Sequence, residues 1–306
     1  MKPTLQDIRY DPVLGNVSVA YQNEAYIAEQ ILPVIPTTTR TGKYFKYDTS
    51  KFRKENSLRA MGAPAKEVDY GVALSVPYVC LDHALKELVP DELKEQAPNP
   101  LNPEIDATEN VTEKLLVEKE YTLASLMQDT NRIPNHVVLS GPTQWSDYSN
   151  SDPIKDIKEG KKAIHSLIFK EPNVLLLGKT VYDALLDHPA IIERIKYRTD
   201  AATTDILARI FGVEKVLVGA AGYEEAPEGQ DSSMSYIWGP NAWLLYVSPK
   251  PGIKQISFGY HFQFGNRTVD KWYDTDREGT WIRVHDNYAQ EIVSTDAAYL
   301  ILNAVA

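Results

Sequence analysis

The chain has 306 residues with 43% hydrophobic and 24% charged side chains, enough length to bury a sizeable core as one elaborate domain or two modest ones, and a composition that excludes wholesale disorder or a collagen-like fibre. Its net charge of −10 argues against a protein that wraps nucleic acid, because neutralising phosphates needs clustered Lys and Arg. No apolar run approaches the ~20 residues of a membrane helix, residues 1–5 lack the basic and apolar regions of a secretory signal, and the single cysteine, Cys80, excludes an intramolecular disulfide. The chain is expected to stay in the cytoplasm and to fold by packing and association.

Residues 1–36 carry scattered apolar positions and three prolines, Pro12, Pro33 and Pro36, and read as an arm with one short helix at 23–30. From 37 to 77 the pattern becomes alternating, with Tyr44, Phe45 and Tyr47 on one side of a polar tip and Val68, Tyr70, Val72, Leu74 and Val76 on the other, which predicts a long hairpin. The tip, 51–65, holds too few large apolar residues to pack a core of its own and should project. Charge concentrates here. Between Arg40 and Asp69 eight basic residues face four acids, a net +4 that leaves −14 for the rest of the chain.

A helical stretch is expected at 82–87, then a proline-punctuated link at 98–103. A long helix follows at 104–129, uninterrupted by Gly or Pro, with Val111, Leu115, Leu116, Leu123, Leu126 and Met127 as its apolar stripe. About 25 residues at ~1.5 Å rise make a rod of roughly 37 Å. Its early acids Glu104, Asp106 and Glu109 suit the positive end of the helix dipole. After a turn-rich loop, Asp152 caps a helix with Pro153 in its first position. Next come a buried strand at 174–177, a turn at Gly178, helices ending near His188 and starting at Pro189, a helix capped by Thr203 or Thr204 and stopped by Gly212, and a strand at 216–218: a compact α/β unit. Residues 219–235, rich in Gly and acids, read as a mobile loop. Strand-like segments follow at 243–247, 258–264, 281–285 and 291–293, then an apolar tail.

Chemical motifs are weak throughout. His83 and Glu87 would share a helical face but lack a third metal ligand. Gly178-Lys179-Thr180 lacks the upstream glycine of a phosphate loop, and Ser140 lacks the frame of a nucleophile elbow. Cys80 sits among apolar neighbours and reads as a buried small hydrophobe. Tyr260, Phe262 and Phe264 alternate on one sheet face without the interleaved bases of a nucleic-acid stacking platform. No catalytic residue, metal site or cofactor is therefore expected.

Five blocks carry a resemblance: AEQILPVIPTTTRTGKYFKYDTSKFRKENSLRAMGAPAKEVD at 28–69, QWSDYSNSDPI at 144–154, PNVLLLGKTVYDALLDHPAIIERIKY at 172–197, FGVEKVLVG at 211–219 and DAAYLILNAV at 296–305. In this order they resemble the major capsid proteins of tailed bacteriophages with the Hong Kong 97 type fold. The resemblance implies an α+β protein with an N-terminal arm (1–36), an extended loop (37–77), a peripheral domain with a spine helix (78–152), an axial domain (153–247) and a return to the peripheral sheet (248–306). It implies pentamers and hexamers of the chain closing an icosahedral head around double-stranded DNA. Portal and scaffold proteins and a decoration protein are then partners, DNA is held only nonspecifically, no membrane is involved, and assembly takes place in the host cytoplasm. The Lys, Asn and Glu trio by which some capsids of this fold crosslink has no match here. An encapsulin-like nanocompartment shell and a carboxylate-dependent hydrolase are the alternatives.

The charge asymmetry adds a reading that the resemblance does not supply. Lys43, Lys46, Lys51, Arg53, Lys54, Arg59 and Lys66 on the extended loop are expected to contact a neighbouring subunit, with Glu113, Glu118 and Glu120 of its spine helix as acidic partners.

Overall fold

The computed structural model describes residues 9–20, 25–45, 75–96, 102–195, 203–226, 229–250 and 255–306, with 54, 56–62, 64, 65, 67 and 252 in addition. In chain order β1 (Arg9–Tyr10), α1 (Pro12–Ala20), α2 (Ala28–Ile31), β2 (Val34–Thr37) and β3 (Thr41–Phe45) lead to β4 (Ser75–Val79), β5 (Leu81–Pro90), α3 (Asp91–Gln96) and the long α4 (Pro103–Gln128). Then come β6 (His136–Val138), α5 (Pro153–Ile168), β7 (Val174–Gly178), α6 (Lys179–Leu186), α7 (Pro189–Ile195), α8 (Thr204–Phe211) and β8 (Lys215–Gly219). The chain closes with β9 (Gly222–Glu224), β10 (Met234–Tyr236), β11 (Ala242–Leu245), β12 (Gly259–Phe264), β13 (Thr268–Asp274), β14 (Gly279–Ile292) and β15 (Ala298–Leu302).

Two sheets organise these elements. The first runs β1-β13-β14-β12-β2 with β5 paired to β14, and the second runs β6-β15-β11-β7-β8. The helix α4 serves both. Its N-terminal half lays Ala107, Val111 and Leu115 on Val89, Val269, Ile282 and Val284 of the first sheet, with Leu14 of α1 completing that cluster. Its C-terminal end puts Leu123, Ala124 and Met127 into the larger core of the second sheet, where the Trp243 indole donates to the Met127 carbonyl at 3.0 Å. Fully burying a Leu or Met is worth about 1.5–3 kcal/mol, so one rod is held by two cores.

Helix starts follow local chemistry. Asp152 Oδ1 accepts the Ile154 and Lys155 N–H groups at 3.1 Å each, ahead of Pro153. Asn102 caps α4 through Glu104 N–H at 3.1 Å, with Pro103 behind it. Gly212, at φ 63°, ends α8 in the left-handed region. Gly160 stays bare because a Cβ there would lie 2.7 Å from Leu244 and from Tyr299, so α5 can lie close on the sheet.

Several expectations are corrected. Residues 82–87 are not helical but lie in β5, an edge strand paired to β14 from Leu81↔Tyr288 to Pro90↔Gly279. Their helix-like spacing yields to that ladder, and four strand residues put His83 and Glu87 ~13 Å apart. His83 instead stacks on Tyr288 at 4.3 Å, and Glu87 accepts from Asn110 at 2.6 Å. Residues 219–235 contain a hairpin, with β9 and β10 paired antiparallel. The short arm helix covers Ala28–Ile31, while positions 23 and 24 lie outside the described residues. The segments at 281–285 and 291–293 are one strand, β14. The last strand, β15, pairs with β11 in the second sheet, so the end of the 248–306 stretch leaves the sheet that the sequence reading assigned to it.

Candidate functional site

β3 and β4 form the base of a hairpin whose described intervening residues are exposed. Its base is firm: β3 and β4 pair from Thr41↔Val79 to Phe45↔Ser75, and Tyr78 and Tyr44 stack on Phe262 of β12 at 4.1 and 5.8 Å. Tyr44 also donates to Glu291 at 3.3 Å, and burial together with that carboxylate pushes its phenol up to about 12. Cys80 is buried beside the Phe262 carbonyl, and burial raises its thiol, which leaves it an inert packing group. Tyr260, Phe262 and Phe264 do form a packed sheet face, closed by the hairpin's own tyrosines.

Residues 56–62, 64, 65 and 67 are all exposed, and Gly62 turns the chain at φ 81°. Leu58 is 83% exposed and Met61 fully so. Lys43, Lys54 and Arg59 are exposed; Lys46, Lys51, Arg53 and Lys66 lie outside the described residues, as does Phe52.

The three acids chosen from α4 separate. Glu118 is 53% exposed, 3.8 Å from His83, and open to a partner. Glu113 is partly buried and accepts the Tyr26 hydroxyl of the arm. Glu120 must be withdrawn as a contact to a neighbour. It is 1% exposed, and it accepts Ile27 N–H at 3.1 Å, Ala28 N–H at 2.9 Å and the Trp238 indole at 2.7 Å. Burial pushes its carboxyl up, against these donated bonds. Helical spacing marked this residue as polar, and only the crossing of α2 over α4 reveals it as interior.

Sequence reasoning also missed Lys119. It is 3% exposed, 2.7 Å from Glu29 of α2, with its ammonium 5.1 Å from the Tyr288 ring centre. Burial works against ionisation of Glu29, but the Lys119 ammonium outweighs it and holds the carboxyl below its ordinary value. No periodicity could have flagged a buried lysine flanked by an equally buried glutamate. Among the described residues, no three His, Cys, Asp or Glu side chains converge on a metal position, and no helix is long and apolar enough to cross a membrane.

An arm, a β3–β4 hairpin, a helical spine shared by two sheets and an α/β unit define the Hong Kong 97 type of shell-building fold. Residues 104–225 match the family described as phage major capsid protein E. The chain is 31% identical over 300 residues to the major capsid protein of Burkholderia phage BcepMu, covering 95% of each. The crystal structure of a phage-related protein from Bordetella bronchiseptica RB50 superposes with a TM-score of 0.75 at 30% identity, over 96% of this chain and 97% of that one. The capsid of cyanophage P-SCSP1u shares the fold, at a TM-score of 0.60 and 8% identity over 92% and 89% of the two chains. This chain belongs to the bacteriophage major capsid protein family. It is a structural subunit of the virion shell, not an enzyme, and these relatives favour neither the nanocompartment nor the hydrolase reading.

Proposed function

We propose that the chain forms pentamers and hexamers closing an icosahedral head around double-stranded DNA, and that the extended hairpin fastens each subunit to the next. One observation carries this reading. Leu58 and Met61, in the stretch between the hairpin strands that also holds Lys54 and Arg59, are exposed, and a surface of another subunit that covers them accounts for apolar side chains held in water. On this reading the arm is 1–36, the extended loop 37–77, the peripheral domain 78–152 with most of 248–306, and the axial domain 153–247 with β15 added to its sheet.

The receiving surface has both apolar and acidic character around Leu81, Leu85 and Glu118 of a neighbour, all exposed. Single exposed ion pairs give only about 0–1 kcal/mol, so charge sets the register while the repeated contact closes the shell. The remaining acidic surface keeps packaged DNA from adhering. Portal, scaffold and decoration proteins complete the list of partners, and assembly takes place in the host cytoplasm. Reversing Arg53 and Lys54 to Glu is expected to leave a folded subunit with impaired particle assembly in electron micrographs. Normal particle yield and heat stability in that variant would refute the docking role.

A further inference from the structure

Three consecutive residues of α4 reach three parts of the molecule. Lys119 bonds Glu29 in the arm, and its carbonyl accepts from Gln290 of β14 at 3.3 Å. Glu120 holds the arm through Ile27 and Ala28 and holds Trp238, just beyond β10. Tyr121 meets Tyr223 of β9 edge-on at 5.0 Å. Trp238 has little freedom of its own. It packs edge-on against Trp243 at 5.4 Å, and Gly219 lies so close that a Cβ would sit 2.3 Å from its ring.

The arm helix depends on this turn of α4 for its own start. Ile27 stands at the N-cap of α2 without a side chain that can cap, and a four-residue helix has no stability in isolation. The Glu120 carboxylate satisfies from another element the N–H groups of Ile27 and Ala28 at the helix start, which have no intrahelical partner. Desolvating a carboxylate is costly, and several donors are needed to offset the cost. Once Trp238 has desolvated and oriented Glu120, the arm amides bind a prepared acceptor, and the reverse holds equally.

We propose that Glu120 couples the N-terminal arm to the β9–β10 hairpin, so that seating either one tightens the other. Such coupling is reciprocal by thermodynamic necessity. It gives the shell subunit a route by which a displaced arm alters the hairpin.

Amide hydrogen exchange on the full-length chain tests this. Trp238→Phe keeps an aromatic ring and removes the indole donor. It is expected to speed exchange at 27–31 by about tenfold, the scale of one lost bond to a charged group. Glu120→Gln should speed exchange at 27–31 and at 222–225 together. Trp243→Phe removes a neighbouring indole bond in the same core, to Met127 instead of Glu120, and should leave the arm unchanged. Acceleration confined to the hairpin in Trp238→Phe, or equal acceleration of the arm in Trp243→Phe, overturns the proposal. Should Trp238→Phe not fold, Glu120→Gln decides it: an unchanged 222–225 segment contradicts coupling.

Discussion

The N-terminal arm and the extended hairpin are both segments without a core of their own, yet they are treated in opposite ways. The arm is stitched to its own subunit at each described stage. Asp11 pairs with Lys271, Ser18 meets Thr112 at 2.8 Å and its carbonyl accepts from Arg267 at 3.0 Å, and α2 is held by Glu120 and Lys119. Among the described residues, the hairpin is stitched at its base, through Tyr44 and Tyr78, and Leu58 and Met61 between its strands are exposed. A segment that must stay with its subunit is held by buried polar bonds, whose loss is expensive. On the proposed docking, the tip keeps its apolar side chains in reserve for another subunit.

The sharpest way to break this contrast is Glu120→Ala, which strands the Ile27, Ala28 and Trp238 donors in a dry site. It should cost ~3 kcal/mol of subunit stability in urea titration, since an unsatisfied buried group costs about 1–3 kcal/mol. A loss below ~1 kcal/mol would mean that water reaches the site and that the arm is held elsewhere.

Acid should loosen the arm next. His261, beneath the Lys119–Glu29 pair and hydrogen-bonded to Gln263, is pushed down to about 4 by burial, with the Lys119 ammonium adding to the effect. An unfolded histidine takes its proton near pH 6.5, so the unfolded state binds more protons between about 6.5 and 4, and stability present above that window is lost as pH falls through it. The loss should reach ~2–3 kcal/mol by the same linkage. Glu29 and Asp11, both held below their ordinary values, extend the loss to lower pH. Glu120, pushed up by burial, works in the opposite sense. His261→Gln should flatten the pH dependence of thermal unfolding between 4 and 6.5, and an unchanged slope would show that His261 is not its source.

The smallest effect on the subunit is expected at the tip. Leu58→Ser with Met61→Ser should change folding stability by less than about 0.5 kcal/mol while lowering particle yield, a separation that no arm substitution should show. Equal damage to folding and assembly would place the tip in its own subunit's core.

Legibility from the sequence followed the range of the interactions. The α/β unit was readable because its signals are local: Asp152-Pro153, Gly178, Pro189 and Gly212 each mark a boundary within a residue or two. The same Asp-Pro signal stands at Asp11-Pro12, where Asp11 Oδ1 accepts from Val13 at 2.9 Å and Leu14 at 3.2 Å to start α1. The first sheet was harder to read. The spacing of β5 mimics a helix, and β13 alternates Val269, Lys271 and Tyr273 with Asp270, Trp272 and Asp274, a pattern with no strong apolar face. Their strand state depends on β14, which sits between them. Of the candidate contacts, the exposure of Lys43, Lys54, Arg59 and Glu118 agrees with a surface role, whereas the burial of Glu120 and Lys119 comes from a helix crossing that no single-chain pattern encodes.

Electron cryomicroscopy of purified particles tests the central claim most directly. The account predicts that Leu58 and Met61 lie against another subunit, with Arg59 near an acid such as Glu118, while Ile27 and Ala28 remain on the Glu120 of their own chain. A hairpin tip standing in solvent or folded back on its own sheet, in intact particles, would contradict it.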